Sequence, residues 1–155
     1  MKKLALLFLV FVITFSLDAQ ILSEKDVPSE TTKAFNTKFP NATNIKWGKD
    51  SASFEVSFLF NDMNVISVFD NNGKWESSKW EIPLQYTPKA VSDYILANFP
   101  KHKTKKLILE ELVSPANPEK LYIAILSLKR QEVFLYFNLK SEFIKLEEKA
   151  LSKKK

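Results

Sequence analysis

The sequence predicts an α+β fold of two tandem repeats, each a helix packed on a four-stranded antiparallel sheet. Three observations predict it. Residues 52–69 carry apolar side chains at every second position (Ala52, Phe54, Val56, Phe58, Phe60), then the polar pair Asn61-Asp62, then MNVISVF. Period two with aromatic and β-branched residues marks a half-buried strand, and two such runs across a short polar turn make a β-hairpin. Two stretches led by Pro28 and Pro88 carry apolar residues at helical spacing, and each stops at Phe-Pro. Both motifs recur. Pro28, Phe35, Phe39 and Pro40 match Pro88, Ile95, Phe99 and Pro100 at an offset of 60, while Phe54, Phe58, Val65, Phe69 and Trp75 match Tyr122, Leu126, Val133, Phe137 and Phe143 at an offset of 68. The difference falls in the Pro-containing loop over 114–118, where an insertion is tolerated without a change of strand register.

The elements follow in order. Met1-Lys2-Lys3, an apolar run over 4–15 and a small residue, Ala19, before Gln20 read as a secretory signal peptide. The run is short for a membrane span, which takes about 20 residues; an uncleaved anchor is the alternative. Cleavage after Ala19 leaves 136 residues, expected to divide into repeats at 20–86 and 87–155, and lowers the formal charge from +5 to +4. Val27-Pro28-Ser29-Glu30 opens the first helix, with proline in the first turn and Glu at the positive end of the dipole. Its stripe is Thr31, Ala34, Phe35 and Phe39, and Pro40 ends it. A short strand begins at Ile45-Lys46-Trp47.

With Asn61-Asp62 as a two-residue turn, Phe60 faces Met63, Phe58 faces Val65, Val56 faces Ser67 and Phe54 faces Phe69, all on the helix side. Asp70-Asn71-Asn72-Gly73 turns the chain again, with Gly73 placed for positive φ. Closing that turn sets Trp75 opposite Phe69, and period two along 74–82 then sends Trp80 and Ile82 to the open face, away from the helix. After a linker over 83–86, Thr87-Pro88 reads as an N-cap and a first helical proline. Val91, Tyr94, Ile95 and Phe99 form the second stripe. Strands follow at 107–113, 121–128, 131–137 and 143–148, the middle pair a hairpin across Lys129-Arg130.

Composition excludes several kinds of chemistry. The absence of cysteine removes disulfides, thiolate nucleophiles, Cys-ligated zinc and a lipidated cysteine. Two glycines far apart, Gly48 and Gly73, exclude a glycine-rich phosphate loop, and a single histidine, His102, leaves no His pair for a metal. His102 sits in a charged turn with no nucleophile indicated beside it, so it reads as a solvated turn residue. Glu110-Glu111 and Glu147-Glu148 are neighbours on strands, so each pair points to opposite faces and cannot converge on one substrate atom. Asp50, Asp62 and Asp70 lie by turns and read as turn-forming residues rather than calcium ligands. The lysines at 101, 103, 105 and 106 and the basic tail read as solvated charge, and export argues against nucleic acid as partner. No cofactor, metal site or catalytic constellation is expected.

The motifs also carry a resemblance. A helix ending Phe-Pro, a strand bearing Ile-Lys-Trp, a hairpin ending Val-Phe-Asp-Asn-Asn-Gly-Lys-Trp and a closing Glu-Ile-Pro resemble the PepSY-like, β-lactamase-inhibitor-like family of exported Bacteroidetes proteins. The likeness spans residues 27–146, with Leu107 and Ser141 in the second copy where the first has Trp47 and Gly73. It implies a two-repeat fold like that of the β-lactamase inhibitor protein, its sheets joined side by side, and no catalysis. It implies a binding or inhibitory module and transfers no inhibitory loop.

The open face of the second sheet is the sharpest candidate site. Ile125 should face Phe134 and Ile123 should face Tyr136 on the side away from the helix, with Leu121 and Ile144 beside them and Trp80 on the open face of the first half. Apolar patches of several hundred Å² usually mark interaction sites. The expected occupant is a periplasmic protein or peptide, which makes the chain an exported, non-enzymatic, inhibitor-like binding module. The alternative is a self-associating structural or envelope-stress protein whose face is covered by a homodimer mate. Trp47 and Trp75 read as core, and Trp80 as the one tryptophan placed to serve as a platform.

Overall fold

The computed structural model describes residues 20–50, 52–102, 104–113, 118–127 and 131–151. The signal segment, the loop over 114–117, the Lys129-Arg130 turn and the basic tail over 152–155 lie outside the described residues. Strands β1 (Gln20–Leu22), β2 (Thr43–Asp50), β3 (Ser53–Phe60), β4 (Met63–Asp70) and β5 (Trp75–Ile82) precede β6 (Thr104–Val113), β7 (Pro118–Ser127), β8 (Gln131–Phe137) and β9 (Phe143–Ala150). Helix α1 (Ser29–Lys38) lies between β1 and β2, and α2 (Lys89–Asn98) between β5 and β6. Each helix follows a single 3-10 turn, Glu24–Asp26 or Leu84–Tyr86. The strands form one antiparallel sheet in sequence order. The halves join by direct pairing of β5 with β6, from Ser77 opposite Leu112 to Ile82 opposite Leu107. The sequence reading missed β1, which adds a strand against β2 from Gln20 opposite Lys49 to Leu22 opposite Trp47.

The β3–β4 register is the one the hydrophobic pattern requires, from Phe60 opposite Met63 to Phe54 opposite Phe69. Asn61 and Asp62 both take positive φ, 49° and 62°, the twist that a two-residue hairpin turn demands. The helices pack on one face. Phe35 of α1 meets Trp47, Phe58 and Phe69 edge-on at centroid distances of 5.3, 4.9 and 6.3 Å, and Phe39 lies 4.7 Å from Phe58. Val91 and Ile95 of α2 join Leu107, Ala124, Leu126, Val133, Leu135 and Phe137 in a second cluster. A fully buried Phe or Leu contributes about 1.5–3 kcal/mol, so these clusters, rather than two ten-residue helices of modest propensity, hold the layers together.

The helix starts differ from expectation. Pro28 and Pro88 occupy the cap positions themselves, one residue before the helix, with no side-chain cap. The Thr87 hydroxyl donates back to the Leu84 carbonyl at 2.6 Å and so closes the 3-10 turn instead of capping α2.

The β4–β5 turn is tied by the Asp70 carboxylate, which accepts from the backbone N–H of Asn72 and of Lys74, both at 2.8 Å. Asn138 does the same for Lys140 and Glu142 at 2.9 and 3.0 Å. Gly73 and Ser141 take φ of 79° and 65° at equivalent places. Past each turn the strand bulges. Phe69 pairs with Trp75 while Val68 pairs with Ser77, leaving Glu76 unpaired. Likewise Phe137 pairs with Phe143 and Tyr136 with Lys145, leaving Ile144 unpaired.

The first bulge corrects the placement of Trp80. An extra residue shifts the alternation by one, so Trp80 stands opposite Val65 on the helix side, and Ile82 opposite Leu107. Trp80 packs against the α1 cluster, 6.0 Å from both Phe39 and Phe60, and Ile82 packs against the α2 cluster. Neither belongs to the open face.

Candidate binding face

The face away from the helices is built by alternate residues of every strand. Across the centre, Glu81, Ile108, Ile123, Tyr136 and Lys145 stand opposite one another in β5 to β9. Beside this row runs Lys106, Ile125, Phe134 and Glu147, and on its other side Ile66, Lys79, Glu110 and Leu121. The expected register, Ile123 opposite Tyr136 and Ile125 opposite Phe134, is present. The two halves differ here. In the first, β3 and β4 put Ser53, Glu55, Ser57, Leu59, Asn64, Ile66 and Val68 on this face, a mixed polar and aliphatic set without an aromatic ring. In the second, isoleucine, leucine and aromatic side chains gather.

Leu121, Ile123, Ile125, Phe134 and Tyr136 therefore share one surface. They are not equally accessible: Tyr136 is 3% and Ile123 7% exposed, whereas Leu121, Ile125 and Phe134 are half-buried. Ile144 is exposed, but as the unpaired residue of the β9 bulge it stands opposite no residue of β8.

Ion pairs frame the apolar centre. Lys79 meets Glu110 at 3.2 Å, Lys106 meets Glu81 at 3.2 Å, Lys105 meets Glu132 at 2.7 Å and Lys145 meets Glu147 at 2.6 Å. The Lys145 ammonium also lies 4.4 Å from the Tyr136 ring centroid, and the Tyr136 hydroxyl donates to Glu147 at 2.8 Å. Burial and then the hydrogen bond to Glu147 push the Tyr136 phenol well above its ordinary value. Burial works against the Glu147 carboxylate, but hydrogen bonds from Lys145 and Tyr136 outweigh it and hold the group below the usual carboxylate range. Such a surface offers apolar contact with fixed charges around it.

The other sequence candidates go elsewhere. Trp47 is buried in the α1 core and Trp75 lies against it, its ring 3.7 Å from the Lys38 ammonium. Glu110 and Glu111 diverge, to Lys79 and to Lys120 at 2.6 Å. His102 is half-buried against the Phe99 ring rather than solvated, and its Nδ1 has no partner among the described residues. Sequence reasoning missed the framing salt bridges, because lysines near glutamates in a sequence carry no register until the strands are paired.

With this geometry in place, comparison with known proteins gives the family. Residues 52–145 match the family model described as "Putative beta-lactamase-inhibitor-like, PepSY-like". The chain belongs to this family. A BLIP-like protein from Bacteroides fragilis superposes with a TM-score of 0.70 at 18% identity, over 83% of this chain and 91% of that one. A DUF2874 family protein from Bacteroides uniformis gives 0.69 at 16%, over 79% and 89%. A structure described as "putative periplasmic proteins" from Bacteroides eggerthii gives 0.68 at 17%, over 79% and 88%. At these identities the likeness is one of fold. No curated protein matches the chain.

Proposed function

We propose that this PepSY-like chain is an exported, non-enzymatic, inhibitor-like binding module that holds a periplasmic protein or peptide on the open face of its second half. The observation that carries the reading is the asymmetry of that face: Leu121, Ile123, Ile125, Phe134 and Tyr136 cluster in one half and four ion pairs surround them. An apolar centre with a charged rim is the anatomy of a protein-binding surface. The family description is in keeping with an inhibitor-like role. Two tandem repeats would account for the asymmetry, since one copy can keep the fold while the other specialises. The matching turns at Asp70 and Asn138, with their matching bulges, support the duplication. The signal-like segment ahead of β1 supports export, and related folds described as periplasmic are in keeping with it.

The test is affinity capture from the native envelope fraction. The wild-type chain should retain a partner at near-stoichiometric yield, and Ile125→Ser with Phe134→Ser should lose it while keeping the wild-type circular dichroism. Equal recovery by the folded double variant would sink the proposal. The intact mass of the exported protein should correspond to a chain starting at Gln20.

A further inference from the structure

We propose that β9 is the pairing surface for a second copy of this chain, with two β9 strands running antiparallel about a two-fold axis at Leu146. This surface is the edge of the sheet; its Lys145 and Glu147 also border the open face, but the pairing does not depend on a partner there. The sheet has two ends. β1 is three residues long, too short to offer a useful ladder. β9 runs eight residues, pairs with β8 on one side, and meets no strand on the other among the described residues. Apolar side chains collect at this edge: Leu139, Phe143, Ile144, Leu146 and Leu151 are five of the ten large exposed hydrophobics among the described residues. A long edge with apolar flanks is a template for another strand.

Charge selects the occupant and the register. In a two-fold antiparallel pair, opposite residues must lie on the same face of the sheet. Centred on Leu146, the register sets Leu146 against its own copy and Lys145 against Glu147, twice. Centred on Lys145, Glu147 or Lys149, it sets like charges face to face, and centred on Glu148 it sets the two Glu148 carboxylates against each other between two Glu147–Lys149 pairs. Opposite charges directly across a strand pair stabilise and like charges destabilise. The Leu146 register thus gives complementary charges with no like-charge contact, with the Lys145–Glu147 contact of 2.6 Å within the chain already holding the two groups side by side. Lys145, Lys149 and the bulge at Ile144 discourage indiscriminate pairing.

The experiment is analytical ultracentrifugation of the full chain and of two charge reversals, with circular dichroism as the folding control. Wild type should show a concentration-dependent dimer. Lys145→Glu and Glu147→Lys should each raise the dimer dissociation constant about tenfold or more. An equimolar mixture of the two should restore a dimer, because each variant then supplies the charge the other lacks. The chain has no cysteine, so Leu146→Cys should form an intermolecular disulfide under mild oxidant faster than Lys140→Cys. A wild-type chain that stays monomeric at its solubility limit overturns the proposal. So does a mixture of folded variants that fails to associate, or equal cross-linking at both cysteine positions. Loss of an envelope partner in open-face variants leaves these results unchanged, so the two proposals fail separately.

Discussion

Replacing Trp80 with alanine tests the bulge that turns this side chain from one face of the sheet to the other. If Trp80 stood on the open face, its removal would cost little stability. On the helix face it fills the space between Phe39 and Phe60, at centroid distances of 6.0 Å from each. Full burial would put the cost of Trp→Ala at about 3–5 kcal/mol. Trp80 is only half-buried, so the expected loss is about 2–3 kcal/mol, including one tilted and one edge-on aromatic contact of roughly 0.5–1.5 kcal/mol each. That corresponds to a fall in Tm of roughly 8–12 °C for a domain of this size. Its indole Nε1 is buried without a partner among the described residues, so Trp80→Phe keeps the contacts, removes the orphaned donor and should stay within about 1 kcal/mol of wild type. Urea unfolding followed by circular dichroism separates these outcomes. A Trp80→Ala midpoint equal to wild type, or an equal loss in Trp80→Phe, would refute the placement.

Other substitutions probe the turns and the polar groups. Gly73→Ala should cost about 2 kcal/mol by chemical denaturation, since φ is +79° and a Cβ would lie 2.6 Å from the Glu30 carbonyl oxygen. Ser78→Ala strands both the Ser67 hydroxyl and the Trp75 indole N–H, which meet Ser78 Oγ at 2.5 and 2.9 Å, and should cost about 1–3 kcal/mol. Adding Ser67→Ala should then cost much less than it does alone, as a double-mutant cycle would read. The depressed carboxylate of Glu147 stabilises the fold above its unfolded-state value, near 4.3, and this is lost as pH falls through the folded value. Glu147→Gln should flatten that acid limb of Tm against pH. The raised phenol of Tyr136 acts in the opposite sense: its stabilisation is complete below pH 10 and fades above it, so Tyr136→Phe should flatten the alkaline limb.

Much of this fold was legible because its strands obey a strict period. Phe54, Val56 and Phe58 across from Phe69, Ser67 and Val65 left one register that buries the apolar set, and Asn61-Asp62 supplied the turn. Ile123 and Ile125 placed Tyr136 and Phe134 by the same rule. Trp80 was misplaced because period-two reasoning fails at an inserted residue, and Glu76-Ser77-Ser78 has no composition that marks a bulge. The signal was present in the phase itself: the apolar positions shift from Trp75 to Trp80 and Ile82, odd to even. β1 was missed because three residues carry no periodicity. The salt bridges of Lys79 with Glu110 and Lys106 with Glu81 join residues far apart in sequence and emerge only when β5 meets β6.

The central claim is that recognition uses the face opposite the helices. The most direct measurement compares the affinity of the captured envelope partner for two single-site variants. Ile125→Lys places a charge in the apolar centre of the open face, and Leu96→Lys places one on the exposed surface of α2. Recognition by the open face requires a loss of about 30-fold or more for Ile125→Lys, the scale of an anchor residue at an interface, with no change for Leu96→Lys. Unchanged binding by a folded Ile125→Lys chain, with the loss falling on Leu96→Lys, would contradict it.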